Sequence, residues 1–153
     1  MSNQPSAQRY LAQEIENASP TRLRLMLIER AVDLAHSLAS YPSSAPTDVR
    51  MTEQSLLLRD ILGELLAGVG KSDLPIAQQV ADLYVFLLQH LSVAEETRDP
   101  QKWSEIASVL EIEQDTWRSV CARSTIRTPV LAQKLGGATM TAAHVAGSLN
   151  FEA

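Results

Sequence analysis

Apolar residues recur at every third or fourth position through most of this chain, and no stretch alternates apolar and polar side chains between hairpin dipeptides. The pattern predicts helices and no sheet. A short first helix is expected over residues 6–16, with Tyr10, Leu11 and Ile15 on its apolar side. In "NASP", Ser19 has the chemistry of an N-cap, and Pro20 suits the first helical position, where its missing N–H would lack a partner anyway. A long second helix starts there and is expected to run to about Ser40, ahead of the aperiodic "SYPSSAP". The third is expected from Thr47 to Val69, closed by Gly70 in the left-handed conformation. Gly63 and Gly68 each weaken it by about 1 kcal/mol relative to Ala at an exposed site, which predicts fraying of its last turns. Asp73 with Pro75 opens a fourth helix reaching about Thr97, and Asp99 as N-cap with Pro100 opens a fifth reaching about Arg123.

Long helices joined by short connections favour antiparallel neighbours. The expected fold is therefore all-α: an antiparallel four-helix bundle with a short extra N-terminal helix and a C-terminal extension. The bundle is expected over residues 1–124. Residues 125–153, rich in Ala, Gly and Thr and poor in charge, read as a tail, mobile or docked on the bundle. Its Val130, Leu131, Leu135, Leu149 and Phe151 would suit the bundle's own groove.

Helical projection at about 100° per residue exposes a surplus. In the second helix Leu23, Leu27, Ala31, Leu34 and Leu38 form one apolar stripe, and Leu25, Ile28, Val32, Ala35 and Ala39 form a second beside it. Together they cover about 200°, against the roughly 100° of an ordinary surface helix, and Arg24 falls inside the arc. The fourth helix has a core seam of Ile76, Val80, Leu83, Leu87, Leu91 and Ala94, widened by Ala81, Tyr84, Val85 and Leu88, with Phe86 and Val93 on the far side. The fifth carries a narrower stripe, including Trp103, Ile106, Leu110 and Trp117. If the fifth helix offers a single face, the second stripe of helix two must be covered by the N-terminal helix and tail or by another chain. The groove residues so predicted are Leu25, Ile28 and Val32 with Tyr84 and Leu88, a surface suited to an amphipathic or extended peptide.

Charge narrows the partners. Among 153 residues the formal net charge is -5, with the 13 Lys and Arg scattered, which argues against nucleic acid. No apolar run is long enough to span a bilayer, and the N-terminus lacks a basic segment followed by an apolar one, so no membrane insertion and a cytoplasmic location are expected. Single Cys121, in apolar "WRSVC", reads as a small buried hydrophobe. His36, His90 and His144 lack metal-ligand spacing, Glu95-Glu96 reads as a solvated face, and Gly136-Gly137 lacks the Lys of a phosphate loop. No catalysis, metal or cofactor is expected.

Certain residues carry a family resemblance. "Y10…I15…N17-A18-S19-P20…L23…M26-L27", then "L83-Y84" followed by "L91…A94", and finally "D115-T116-W117" occur in an order and spacing that resemble the flagellar secretion chaperones called FliS, over about residues 8–121. The resemblance implies a cytoplasmic helical bundle that binds the C-terminal segment of flagellin, prevents premature polymerisation before type III export, and meets components of the flagellar export apparatus. It places Tyr10, on the N-terminal helix, where it closes or lines the groove, with Ile15 as a further contact. The alternative reading is a helical adaptor or self-associating bundle that binds another exported filament or secretion-system protein.

Overall fold

The computed structural model describes the backbone of residues 4–17 and 19–134, and side chains over 6–13 and 19–123. Five helices follow in order: α1 (Gln4–Asn17), α2 (Pro20–Ala39), α3 (Val49–Val69), α4 (Pro75–Thr97) and α5 (Pro100–Lys134). No strand occurs among the described residues. Helices α2 to α5 form a four-cornered bundle in which α2 packs on α3 and α5, α4 packs on α3 and α5, and α2 lies diagonally across from α4.

Cross-helix bonds fix the directions. Gln54 Nε2 of α3 donates to Ser37 Oγ of α2 at 2.9 Å, Arg59 of α3 meets Glu95 of α4 at 2.7 Å, and His36 of α2 meets Glu111 of α5 at 2.6 Å. Arg118 and Glu29 pair at 3.9 Å further along α5 and α2, as antiparallel neighbours require. The C-terminal end of α2, the start of α3, the end of α4 and the start of α5 therefore share one end of the bundle.

Local chemistry sets most boundaries. Ser19 caps α2, its Oγ accepting from Arg22 N at 3.2 Å, with Pro20 in the first turn. Asp48 caps α3 by accepting from Met51 N at 2.7 Å, and Asp99 Oδ1 accepts from Gln101 N at 3.0 Å where α5 begins. Three boundaries differ from the sequence reading. Asp73 does not cap α4: Leu74 occupies that position without a side-chain bond, and Ser72 Oγ accepts from Leu74 N at 3.3 Å. Gly70 is right-handed (φ -62°), because its N–H still reaches back to Leu66 O in a helical turn. The left-handed residue is Arg98 (φ 56°), closing α4; its guanidinium donates to the carbonyl of Ala45 in the α2–α3 connection. In addition, α5 continues to Lys134, past the end expected near Arg123.

Helix α3 stays continuous through both internal glycines. Gly68 has a packing reason: a Cβ there would stand 3.3 Å from Arg24 Nη1. Around Gly63 nothing lies within 4 Å of that position. Gly63→Ala should therefore raise the stability measured by urea unfolding, by up to about 1 kcal/mol, through helix propensity and a less flexible unfolded chain. Gly68→Ala should gain less or lose, since the guanidinium must give way.

The core unites all four long helices, with Trp103, Tyr84, Leu25, Ile28, Leu58, Leu62, Leu87 and Ile106 among its fully buried side chains. Helix α1 adds no residue to it among the described side chains. Cys121 is half-buried against the core, and burial pushes its thiol pKa up, in keeping with a packing role.

Candidate partner-binding surface

The predicted groove residues separate into three groups. Leu25, Ile28 and Val32 of α2 and Tyr84 of α4 are buried inside the bundle. The surplus stripe of α2 is thus not open to solvent: α5 runs along one flank of α2 and α3 along the other, so α2 has two full-length neighbours. Leu88 is half-buried, packed against the core. Tyr10 stands apart on α1, 71% exposed, with Leu11 exposed beside it. The structure does not bring Tyr10 together with Tyr84 or Leu88, and the side chain of Ile15 lies outside the described residues, as do those of the tail.

Arg24 enters the apolar arc of α2 because two aromatic rings receive it. Its guanidinium lies 5.4 Å from the ring centre of Tyr84 and 5.0 Å from that of Trp117, while Nη1 donates to Leu65 O at 3.4 Å. Such desolvated cation–ring contacts are worth about 2 kcal/mol. The Tyr84 hydroxyl donates to Glu113 Oε2 at 3.1 Å. Burial pushes the Tyr84 phenol pKa well above its ordinary value; Arg24 pulls it down, and Glu113 pushes it further up. The folded chain thus keeps a proton that the unfolded chain releases above about pH 10. The stability due to Tyr84 is fully present below that pH and should fall above it, by about 1.4 kcal/mol per pH unit. Urea unfolding at about pH 9 and about pH 11 should show this loss in the natural chain, and Tyr84→Phe should lack it.

Part of the apolar surface that does face solvent lies on the outer side of α4; further exposed apolar residues include Val49 and Leu57 of α3 and Ile112 of α5. Phe86 is 49% exposed, Val85 41% and Val93 40%. Phe86 and Val93 are seven residues apart, two turns or about 10 Å along the axis. Phe86 is held in place: its ring stacks on His90, centroids 5.4 Å apart and planes 22° from parallel, and His90 Nε2 meets Glu105 of α5 at 2.6 Å. On α3, Leu56 is also exposed, and Arg59 Nη2 of that helix reaches across to Ser92 and Glu95 of α4. Asp82 and Glu96 of α4 are exposed as well. The helical projection had set Phe86 and Val93 on the far side of α4; what it lacked was a reason to weigh outward residues above the inward stripes.

Among the described residues no group of His, Cys, Asp and Glu is arranged to hold a metal ion, and no helix is long and apolar enough to cross a membrane. The arrangement offers a helical scaffold with exposed apolar residues on the outer side of α4.

Among curated proteins and solved structures, none matches this sequence. The profile of one protein family, described as flagellar protein FliS, matches residues 1–124, which takes in the capped start of α2, the outer row of α4 and the core-lining part of α5. The chain belongs to the flagellar protein FliS family, a family of flagellar export chaperones.

Proposed function

We propose that this chain is a cytoplasmic chaperone for flagellin, binding the C-terminal segment of that protein and holding it back from polymerisation until type III export. The observation that carries the reading, beyond family membership, is the exposed apolar set Val85, Phe86 and Val93 on a helix whose opposite face, with Tyr84, Leu87 and Leu91, is buried in the core. An amphipathic segment laid along α4 would bury this row by the helix-in-groove mode, its apolar anchors spaced at turns of the helix. Filament assembly needs the client's apolar segment free, so occupying it opposes polymerisation without any chemistry. Release at the export machinery then needs an affinity that can be outcompeted. Exposed Tyr10 and Leu11 give α1 an apolar side able to fold over a seated client.

Calorimetric titration with a peptide of the C-terminal segment of the flagellin from the same organism tests this. A one-to-one complex is expected, and Phe86→Asp with Val93→Asp should weaken it about a hundredfold or more while leaving the thermal transition in place, as for loss of central apolar anchors. Absence of binding, with a concentration-dependent dimer in size-exclusion chromatography, would instead favour the self-associating adaptor.

A further inference from the structure

An exposed phenylalanine ordinarily moves among rotamers, and a partner that binds one of them must halt that motion at a cost in affinity. Phe86, half-exposed on α4, is constrained before any partner arrives. His90 follows it by four residues, on the same side of the helix, and the two rings form an offset stack with centroids 5.4 Å apart. The imidazole is itself fixed from the neighbouring helix. Its side chain is only 16% exposed, and Nε2 meets Glu105 Oε2 of α5 at 2.6 Å. An ionised carboxylate can only accept, so Nε2 carries the proton and donates it. Lys102 Nζ, one turn earlier on α5, stands 3.7 Å from the same oxygen. A line of contacts thus runs from Lys102 through Glu105 and His90 to Phe86, from α5 to the outer side of α4. Imidazole suits the link because it joins a flat face, which stacks, to an in-plane N–H, which bonds.

We infer that His90 is a positioning residue for client binding: anchored by Glu105, it holds the Phe86 ring in the orientation that receives the client. This rests on the chaperone reading above. Preorganisation raises affinity by removing an ordering cost and adds no contact of its own, so its worth is the factor of about three to ten that immobilising one side chain costs. Glu105 then influences a client it does not touch, by way of His90 and Phe86 in series. That serial dependence separates positioning from direct contact and from general support of the fold. Once Phe86 is removed, His90 and Glu105 have nothing left to position.

The test is calorimetric titration of the full chain with the flagellin C-terminal peptide. His90→Ala should weaken binding about three- to tenfold with the thermal transition still in place. Glu105→Ala should act in the same direction, and Glu105→Gln, whose amide oxygen still accepts from Nε2, should recover most of that loss. Support of the fold alone would move the thermal midpoint and give no such recovery of affinity. If His90→Ala loses the thermal transition, the two Glu105 variants, at a side chain 41% exposed, carry the same test. In a Phe86→Ala chain, adding His90→Ala should change affinity by less than about twofold. Equal losses from His90→Ala with and without Phe86 would overturn the inference, since His90 would then act independently of the ring. Affinity weakened by Phe86→Ala but unmoved by His90→Ala would also overturn it, while leaving the chaperone reading intact. No peptide binding by the natural chain would remove both.

Discussion

Ile28→Asp is expected to unfold the bundle. Ile28 is fully buried on α2, one turn from Arg24, whose guanidinium is already held between Tyr84 and Trp117, and a carboxylate there must lose its hydration or take up a proton at a cost to stability. Either route should cost more than about 4 kcal/mol, a large share of the stability of a domain this size. Circular dichroism should show loss of the cooperative transition, and peptide binding should vanish with it. Phe86→Asp is the matched control. It places the same charge on the same kind of helix at a half-exposed site, where the stability change should stay within about 0.5 kcal/mol plus the lost stacking on His90. A folded, binding-competent Ile28→Asp would mean that the stripe containing Leu25, Ile28 and Val32 faces outward after all.

The second large effect concerns Arg24. Arg24→Ala removes a cation held between Tyr84 and Trp117, its bond to Leu65 O, and enough volume to leave a hole beside Gly68. A loss of about 3 kcal/mol in urea unfolding is expected from the ring contacts and the cavity together. Arg24→Met separates the two contributions. It restores most of the volume without the charge, and a buried charge exchanged for a well-packed apolar group is often close to neutral. A loss under about 1 kcal/mol for Met would show that packing dominates; near-equal losses for Met and Ala would assign the stabilisation to the guanidinium itself.

How far the sequence could be read follows from the range of each determinant. Ser19-Pro20 and Asp99-Pro100 announce helix starts because capping is a bond between residues two or three apart, visible in the string itself. Arg98 gave no such signal, since nothing about an arginine prefers the left-handed region; its conformation accompanies a tie to Ala45, far away in sequence. Arg24 was an anomaly on the projection for the same reason: its rings come from α4 and α5. The site suffered most. A projection measures how wide an apolar arc is but not how many neighbours will cover it, and α5 covers more of α2 than one narrow stripe implied. The outward row was legible in Phe86 and Val93 as residues off the seam. The stacking of Phe86 on His90 and the tie from His90 to Glu105 emerge only once α4 and α5 stand together.

The pairing of α2 with α5 joins the first and last corners of the bundle, whereas the other three contacts link helices consecutive in the chain. Assembly order follows from this. During synthesis the ribosome delivers α2, α3 and α4 before their closing partner, and until α5 emerges the flank of α2 that it will cover is bare. The newborn chaperone is thus itself a sticky, incomplete polypeptide, safe only once its final helix has been translated.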